Sequence, residues 1–362
     1  MKTRSQVDCV PAIPKGIHEL MRQYDERSRK WLVTGAAGFI GSHLVDTLIR
    51  EGQRVIGVDN FVTGSPANLT AIDRHWNAEQ RSRFRFIQAD IASCEAHEAL
   101  IGVELVLHQA ALGSVPRSIE RPLDSFQNNV DGFFKFLIAA KNAGVSRFVY
   151  ASSSSVYGDH QALPKREDII GKPLSPYAAT KLADELFASV IARCYSIKCV
   201  GLRYFNVFGP RQDPEGPYAA VIPRWIAAIA RGTPPVIYGD GSTSRDFCYV
   251  ANVVQANLRA ALMPMGQGGH DVFNVALGQR TSLLELFEAI RQRVAVHDPR
   301  RASIQPEFGP FRAGDVHHSL ADISHIQSAI GYQPTHDFEA GLTETVDAIL
   351  QQEKVPRRQA AA

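Results

Sequence analysis

Cysteine is scarce in this 362-residue chain and carries no pattern: Cys9, Cys94, Cys194, Cys199 and Cys248 make no CxxC pair and no cluster with metal-ligand spacing. That excludes a disulfide scaffold or a zinc ribbon, and no metal is expected; an odd, dispersed set suits a reducing compartment. Long apolar runs are missing as well. None approaches the roughly 18 residues of a membrane span, and no apolar signal core stands near the start, so the expectation is a soluble, cytoplasmic protein. Charge of one sign is also absent. The net charge is +2 and the Lys and Arg residues are scattered, which leaves no footprint for nucleic acid or a membrane surface. Repeats and low-complexity segments are lacking too.

What the chain does have begins at Trp31. Trp31-Leu32-Val33-Thr34 reads as a buried strand, and Leu44, Val45, Leu48 and Ile49 form one helical stripe. Between them lies Gly35-Ala36-Ala37-Gly38-Phe39-Ile40-Gly41. Glycines between a strand and a helix make a dinucleotide-binding turn: Gly35 and Gly38 let the backbone approach a pyrophosphate, and Gly41 lets the helix pack on the strand. The pyrophosphate would rest on the helix N-terminus, where free amides favour negative charge. A second strand, Arg54–Val58, ends in Asp59, whose carboxylate suits two ribose hydroxyls and repels a 2′-phosphate, so NAD is expected rather than NADP. A third ends before Asp90-Ile91, suited to the adenine edge. A fourth leads to His108-Gln109-Ala110-Ala111, small residues where backbone passes the cofactor. Asp59 and Asp90 also read as plain helix caps.

Strands and helices alternate to about residue 205, as a doubly wound parallel sheet requires. The expected organisation is an extension with a short helix over 1–30, a Rossmann-type α/β domain over 31–205, an interleaved, smaller substrate-binding region over 206–353, and a tail over 354–362. Proline-rich loops and an amphipathic helix near Ile222–Arg231 mark the change of texture after 205.

The second chemical signal is Tyr177-Ala178-Ala179-Thr180-Lys181. Phenol and ammonium, four residues apart, share a helix face. A free phenol titrates near about pH 10. A neighbouring ammonium and a positive nicotinamide ring both favour phenolate. The serines at the end of the strand Phe148–Ala151 lie where ligands bind, and a hydroxyl there positions a substrate alcohol for proton transfer. Taken alone, Tyr177 and Lys181 are an ordinary helix pair and the serines a polar loop. The glycine turn upstream is what joins them into a kit for moving a hydride and a proton.

These residues, with His108–Ser118, Arg203-Tyr204-Phe205-Asn206-Val207-Phe208-Gly209 and Gly239–Phe247, resemble the extended short-chain dehydrogenase/reductases, specifically the nucleotide-sugar 4-epimerases of the bacterial UDP-N-acetylglucosamine group. The resemblance runs from about residue 16 to 350 and implies a homodimer joined by four helices, for which Val130–Asn142 and Tyr177–Tyr195 are candidates. It implies Ser153, Tyr177 and Lys181 as catalytic residues, with Phe39, Ile40 and Asn60 joining the NAD-binding set and Asn129 near the active site; Asn129 reads equally as a helix N-cap. Dehydratases of the superfamily carry Asp-Glu after the catalytic Ser/Thr, and decarboxylases a glutamate at the second position. Ser154 and Ser155 stand there, which points to epimerisation.

The implied reaction removes the proton of the sugar 4-hydroxyl through Tyr177, with help from Ser153, as hydride leaves carbon 4 for the nicotinamide. The 4-keto sugar then swings, and hydride returns to its other face. For the UDP part the resemblance implies Arg245 and Arg312 on the diphosphate, Asn206 bridging phosphate and sugar, Ala220 and Val221, Asp315, and Tyr238 on uracil. A salt bridge to Asp240 or Asp246 is the plain alternative for Arg245. Gly113, Ser114, Arg117 and Ser319 would flank the sugar. Ser319 stands where glucose-only epimerases carry a bulky tyrosine, so room for a 2-acetamido group is implied, and a role in surface polysaccharide precursors with it. Two other readings stay open. One is a UDP-uronate 4-epimerase, with Ser114, Arg117, Arg211 or Tyr218 at a carbon-6 carboxylate; the other is a non-catalytic NAD sensor.

Overall fold

Seven parallel strands form the centre of the molecule, in the order His270–Val275, β6 (Lys198–Tyr204), β5 (Arg147–Ser153), β4 (Leu105–His108), β1 (Lys30–Thr34), β2 (Arg54–Asp59), β3 (Phe84–Gln88). The structure, a computed structural model, describes residues 13–24, 28–215, 219–264, 269–311 and 317–354. β1 and β2 are apolar on both faces because helices cover both sides of the sheet, as a parallel sheet requires. On one side Trp31 and Val33 meet Leu44, Val45 and Leu48 of the helix Phe39–Arg50 and Val253, Val254 and Leu258 of the helix Val250–Leu262. On the other, Leu32 and Val106 meet Phe133, Phe136, Leu137 and Ile191.

Strand order reverses between β1 and β4, and that is where such sheets bind ligands beyond their carboxyl ends. The strand His270–Val275, from the second half of the chain, pairs with β6 along its whole length. Both halves therefore share one sheet. A third apolar cluster, with Phe208, Trp225, Ile226, Phe287 and Phe338, holds the C-terminal helices together beside the sheet. The extension helix Ile17–Tyr24 docks Ile17, Leu20 and Met21 into the first core. Among the described residues no helix is long and apolar enough to cross a membrane.

One local reading is corrected. Asn129 does not cap a helix. The helical path starts at Pro122, passes through a wide turn over Gln127–Gly132 and continues to Asn142. Asn129 lies inside that turn, accepts a bond from the Leu112 amide at 2.8 Å, and donates to the Leu112 carbonyl and to Thr180. It thereby ties the segment after β4 to the helix carrying Tyr177. Phe133, Phe136 and Leu137 are core, so what this helical face offers to solvent comes from neighbouring residues.

Candidate active site

The glycine turn sits on β1 with a geometry only glycine serves. Gly35 has φ +63°, and a Cβ there would lie 3.0 Å from the Ala110 amide nitrogen. A Cβ on Gly41 would overlap the carbonyl oxygen of Gly35. Thr34 locks the two crossing segments together: its hydroxyl accepts bonds from the Gln109 and Ala110 amides, both at 3.1 Å. Gly38 is the N-cap of the helix that starts at Phe39, with Ile40 in its first turn.

A pocket opens above this turn, lined by Gly35, Asp59, Asn60, Asp90, Ile91 and Ala110, with Thr63, Leu112 and Asn128 closing it. Asp59, at the end of β2, accepts the Ala37 amide at 3.0 Å and the Phe61 amide at 2.7 Å. Burial pushes its carboxyl above the ordinary value while those amides pull it back. Asp59 therefore braces the glycine turn, and neither it nor Asp90 caps a helix; Ser93 caps the helix after β3. Asn60 donates to Asp90 at 2.9 Å, joining the ends of β2 and β3 across the pocket floor. The cramped glycines and the acid at the pocket rim fit an adenine dinucleotide. When NAD is bound it supplies a hydride acceptor and donor beyond the ends of these strands.

Ser175 starts the helix Pro176–Cys194 by accepting the Ala178 amide, and Pro176 fits its first turn. That places Tyr177, half-buried, in the first turn and Lys181, 2 % exposed, one turn further along. The helix packs on β5 and on the short turn Ser154–Tyr157. Ser153 ends β5 and caps that turn: its hydroxyl accepts the Ser155 amide at 3.2 Å and the Ser155 hydroxyl at 3.0 Å. Hydroxyls, not carboxylates, thus follow Ser153 in space as in sequence. His108, its Nδ1 3.0 Å from the Thr34 hydroxyl, lies against both Phe136 and Phe148, with ring centroids 5.5 and 5.4 Å away. Burial, aided by Lys181, drives its pKa down to about 3, so it stays neutral.

A cavity of about 370 Å³ is lined by Asn206, Val221, Tyr238 and Arg245, together with Ala219, Arg224, Trp225 and Phe247. Asn206, at φ +32°, donates its amide to the Asp246 carbonyl. Arg245 donates to the carbonyls of Ser244 and His317, while Asp246 is engaged by the Leu277, Gly278 and Ala321 amides. Ala220, exposed, caps the helix Val221–Arg231, and Ala219 lines the wall beside it. Ser319 is buried and its amide donates to the Ser244 carbonyl, beside Arg245. Gly113 faces open space, with nothing within 4 Å of the position a Cβ would take. Ser114 caps the helix Val115–Glu120 by accepting the Arg117 amide. Arg211 belongs elsewhere: its Nε lies 3.3 Å from His43 Nε2, against the helix of the glycine turn. Arg312, Asp315 and Tyr218 lie outside the described residues. Arg224 is a charged residue of the cavity that the sequence did not suggest.

Rossmann topology, a dinucleotide pocket at the strand switch and a Tyr–Lys pair beside a serine define an extended short-chain dehydrogenase/reductase. Comparison with known proteins narrows the class. The chain belongs to the NAD dependent epimerase/dehydratase family, whose pattern matches residues 31–276. It is 39% identical to "UDP-glucose 4-epimerase" of Mycolicibacterium smegmatis over 87% of this chain and 97% of that protein. Among solved structures it is similar to a UDP-N-acetylglucosamine 4-epimerase from Methanobrevibacter ruminantium in complex with UDP-N-acetylmuramic acid: 40% identity, TM-score 0.81, 90% of this chain and 99% of the other. It is also similar to a UDP-glucuronic acid 4-epimerase from Bacillus cereus in complex with UDP-glucuronic acid and NAD, at 32% identity, TM-score 0.78, 89% of this chain and 99% of the other.

Proposed function

We propose that this chain is a UDP-sugar 4-epimerase and that it interconverts UDP-N-acetylglucosamine and UDP-N-acetylgalactosamine. The observation that carries the reaction is the Tyr177–Lys181 pair beside a serine cluster with no carboxylate in it. Tyr177 takes the proton of the sugar 4-hydroxyl and gives it back, and Ser153 orients that hydroxyl. Lys181 stands one helical turn from the phenol, on the same helix face. Without an acid at Ser154 or Ser155 nothing expels water or carbon dioxide, so the ketone is reduced again. The open mouth lets the sugar turn while Arg245 and Asn206 hold the diphosphate, with Arg312 as a second clamp. Tyr238 stacks on the base.

The acetamido sugar is supported by the room beside Gly113 and by a short side chain at Ser319, next to Arg245. The uronate alternative loses support at Arg211, which lies against His43 and the helix of the glycine turn. The sensor alternative has the complete catalytic set against it. A second copy of the chain is the expected partner. Leu123 and Phe126 lie exposed on the helix that packs beside the one carrying Leu186, Phe187 and Val190, with the Phe134 and Phe187 rings tilted against each other at 4.8 Å, and such a patch suits a four-helix contact. We assign the work to the cytoplasm, supplying surface polysaccharide precursors.

The test is proton NMR of the purified protein with UDP-N-acetylglucosamine, UDP-glucose or UDP-glucuronate, each without added NAD. Growth of the UDP-N-acetylgalactosamine anomeric signal, faster than the other two reactions, is the expected result. Preference for the uronate would overturn the substrate, and silence with all three would overturn the reaction.

A further inference from the structure

The helix that carries Tyr177 and Lys181 carries a third charged group one turn on. Lys181 Nζ donates to Asp184 Oδ2 at 3.2 Å, and the two side chains are 3 % and 0 % exposed. The other oxygen, Oδ1, is sealed from solvent and has no hydrogen-bond partner. Structure alone gives this carboxylate little to do. The neighbouring buried cation, Arg203, is already held by both oxygens of Glu185, which also accepts the Ser152 hydroxyl. A buried carboxylate with one oxygen unsatisfied is costly to keep, and removing it alone would leave the buried Lys181 ammonium without this partner. What Asp184 does have is contact with the ammonium on which the phenolate depends.

We propose that Asp184 is a positioning residue of the catalytic pair: it tethers the Lys181 ammonium and, by losing or holding its own proton, sets how much of that positive charge reaches Tyr177. This rests on the reading of Tyr177 and Lys181 as the catalytic pair. An ionised carboxylate beside Lys181 offsets its charge, whereas a neutral carboxyl leaves it whole.

The groups around Asp184 make it the one that changes. From β4, His108 stays neutral, its pKa driven down to about 3 by burial and Lys181. From β5, burial holds the Tyr150 phenol well above its usual range. From β6, burial pushes the Cys199 thiol up to about 12, and Arg203 is bound to Glu185. From the strand His270–Val275, burial takes His270 down to about 4. On the helix itself stand Lys181 and Glu185. Burial pushes the Asp184 carboxyl up to about 7, against the pull of Lys181. Of these shifts, the Asp184 one is the one that falls near neutral pH.

The test compares the wild-type holoenzyme with Asp184→Asn, and with Asp184→Ala should the first variant fold poorly. Infrared difference spectra of wild type minus variant should show a protonated carboxyl band that vanishes as pH rises through about 7. In kinetics with the UDP-sugar, kcat of the wild type should carry an inflection of about threefold or more near neutral pH that the variant lacks, with KM unchanged and bound NAD retained, and Asp184→Glu should restore it. A carboxyl that titrates in the ordinary acidic range, or a kcat–pH profile of the same shape in wild type and variant, would overturn the proposal. The infrared reading needs no substrate, so its failure is distinct from the failure of the epimerase reading, which appears as absent turnover in the wild type.

Discussion

The two walls of the site are built by different means. The cofactor wall is tied to itself: Thr34 holds the Gln109 and Ala110 amides, Asp59 holds Ala37 and Phe61, Asn60 holds Asp90, and Asn129 holds Leu112 to the helix carrying Tyr177. The substrate wall borders a cavity of about 370 Å³, and its members come from several short segments between Asn206 and Leu283. One wall is preorganised for a cofactor that stays. The other leaves room for a sugar that has to turn over. A 4-epimerase needs that asymmetry, because hydride must leave one face of carbon 4 and return to the other.

Breaking the rigid wall should have the largest effect. Gly41→Ala puts a methyl into the Gly35 carbonyl, so the purified variant should lack bound NAD and all activity, read by nucleotide released on acid denaturation; full retention would show that the turn is looser than described. Next comes the catalytic helix. Tyr177→Phe should lower turnover by about a thousandfold while NAD stays bound, and wild-type rates would remove Tyr177 from the chemistry. On the open wall, Arg245→Ala should raise KM for the UDP-sugar by roughly ten- to a hundredfold, with kcat and NAD content nearly unchanged; an equal fall in kcat would mean that this wall also shapes the transition state. The smallest effect is one of preference. Ser319→Tyr should disfavour the acetamido sugar and spare UDP-glucose, since steric room discriminates only modestly. An unchanged ratio of the two rates would place the acetamido pocket elsewhere.

The same contrast explains what the sequence made legible. The glycine turn, the acids ending β2 and near β3, and the Tyr–Lys helix are local patterns, readable because each is set by neighbours a few residues away. Arg224 escaped notice because Val221–Arg231 reads simply as an amphipathic helix, and only its docking turns that arginine toward the cavity. Asp184 looked like any carboxylate three residues from a lysine, and its burial comes from strands over thirty residues upstream and fourteen or more downstream. The N-cap alternative for Asn129 fails because helix start signals do not reveal a wide turn inside a continuous helical path. Arg211 sits in a loop whose course under the glycine-turn helix is a tertiary fact, set by His43.

The central claim is that hydride leaves carbon 4 and comes back to the same carbon inside one protein. The direct measurement is epimerisation of UDP-N-acetylglucosamine in deuterium oxide, without added NAD, followed by proton NMR at carbon 4 of the product. The account predicts an epimer that keeps protium at carbon 4, because the hydride never exchanges with solvent. Deuterium at that position would contradict it and point to proton abstraction from carbon instead.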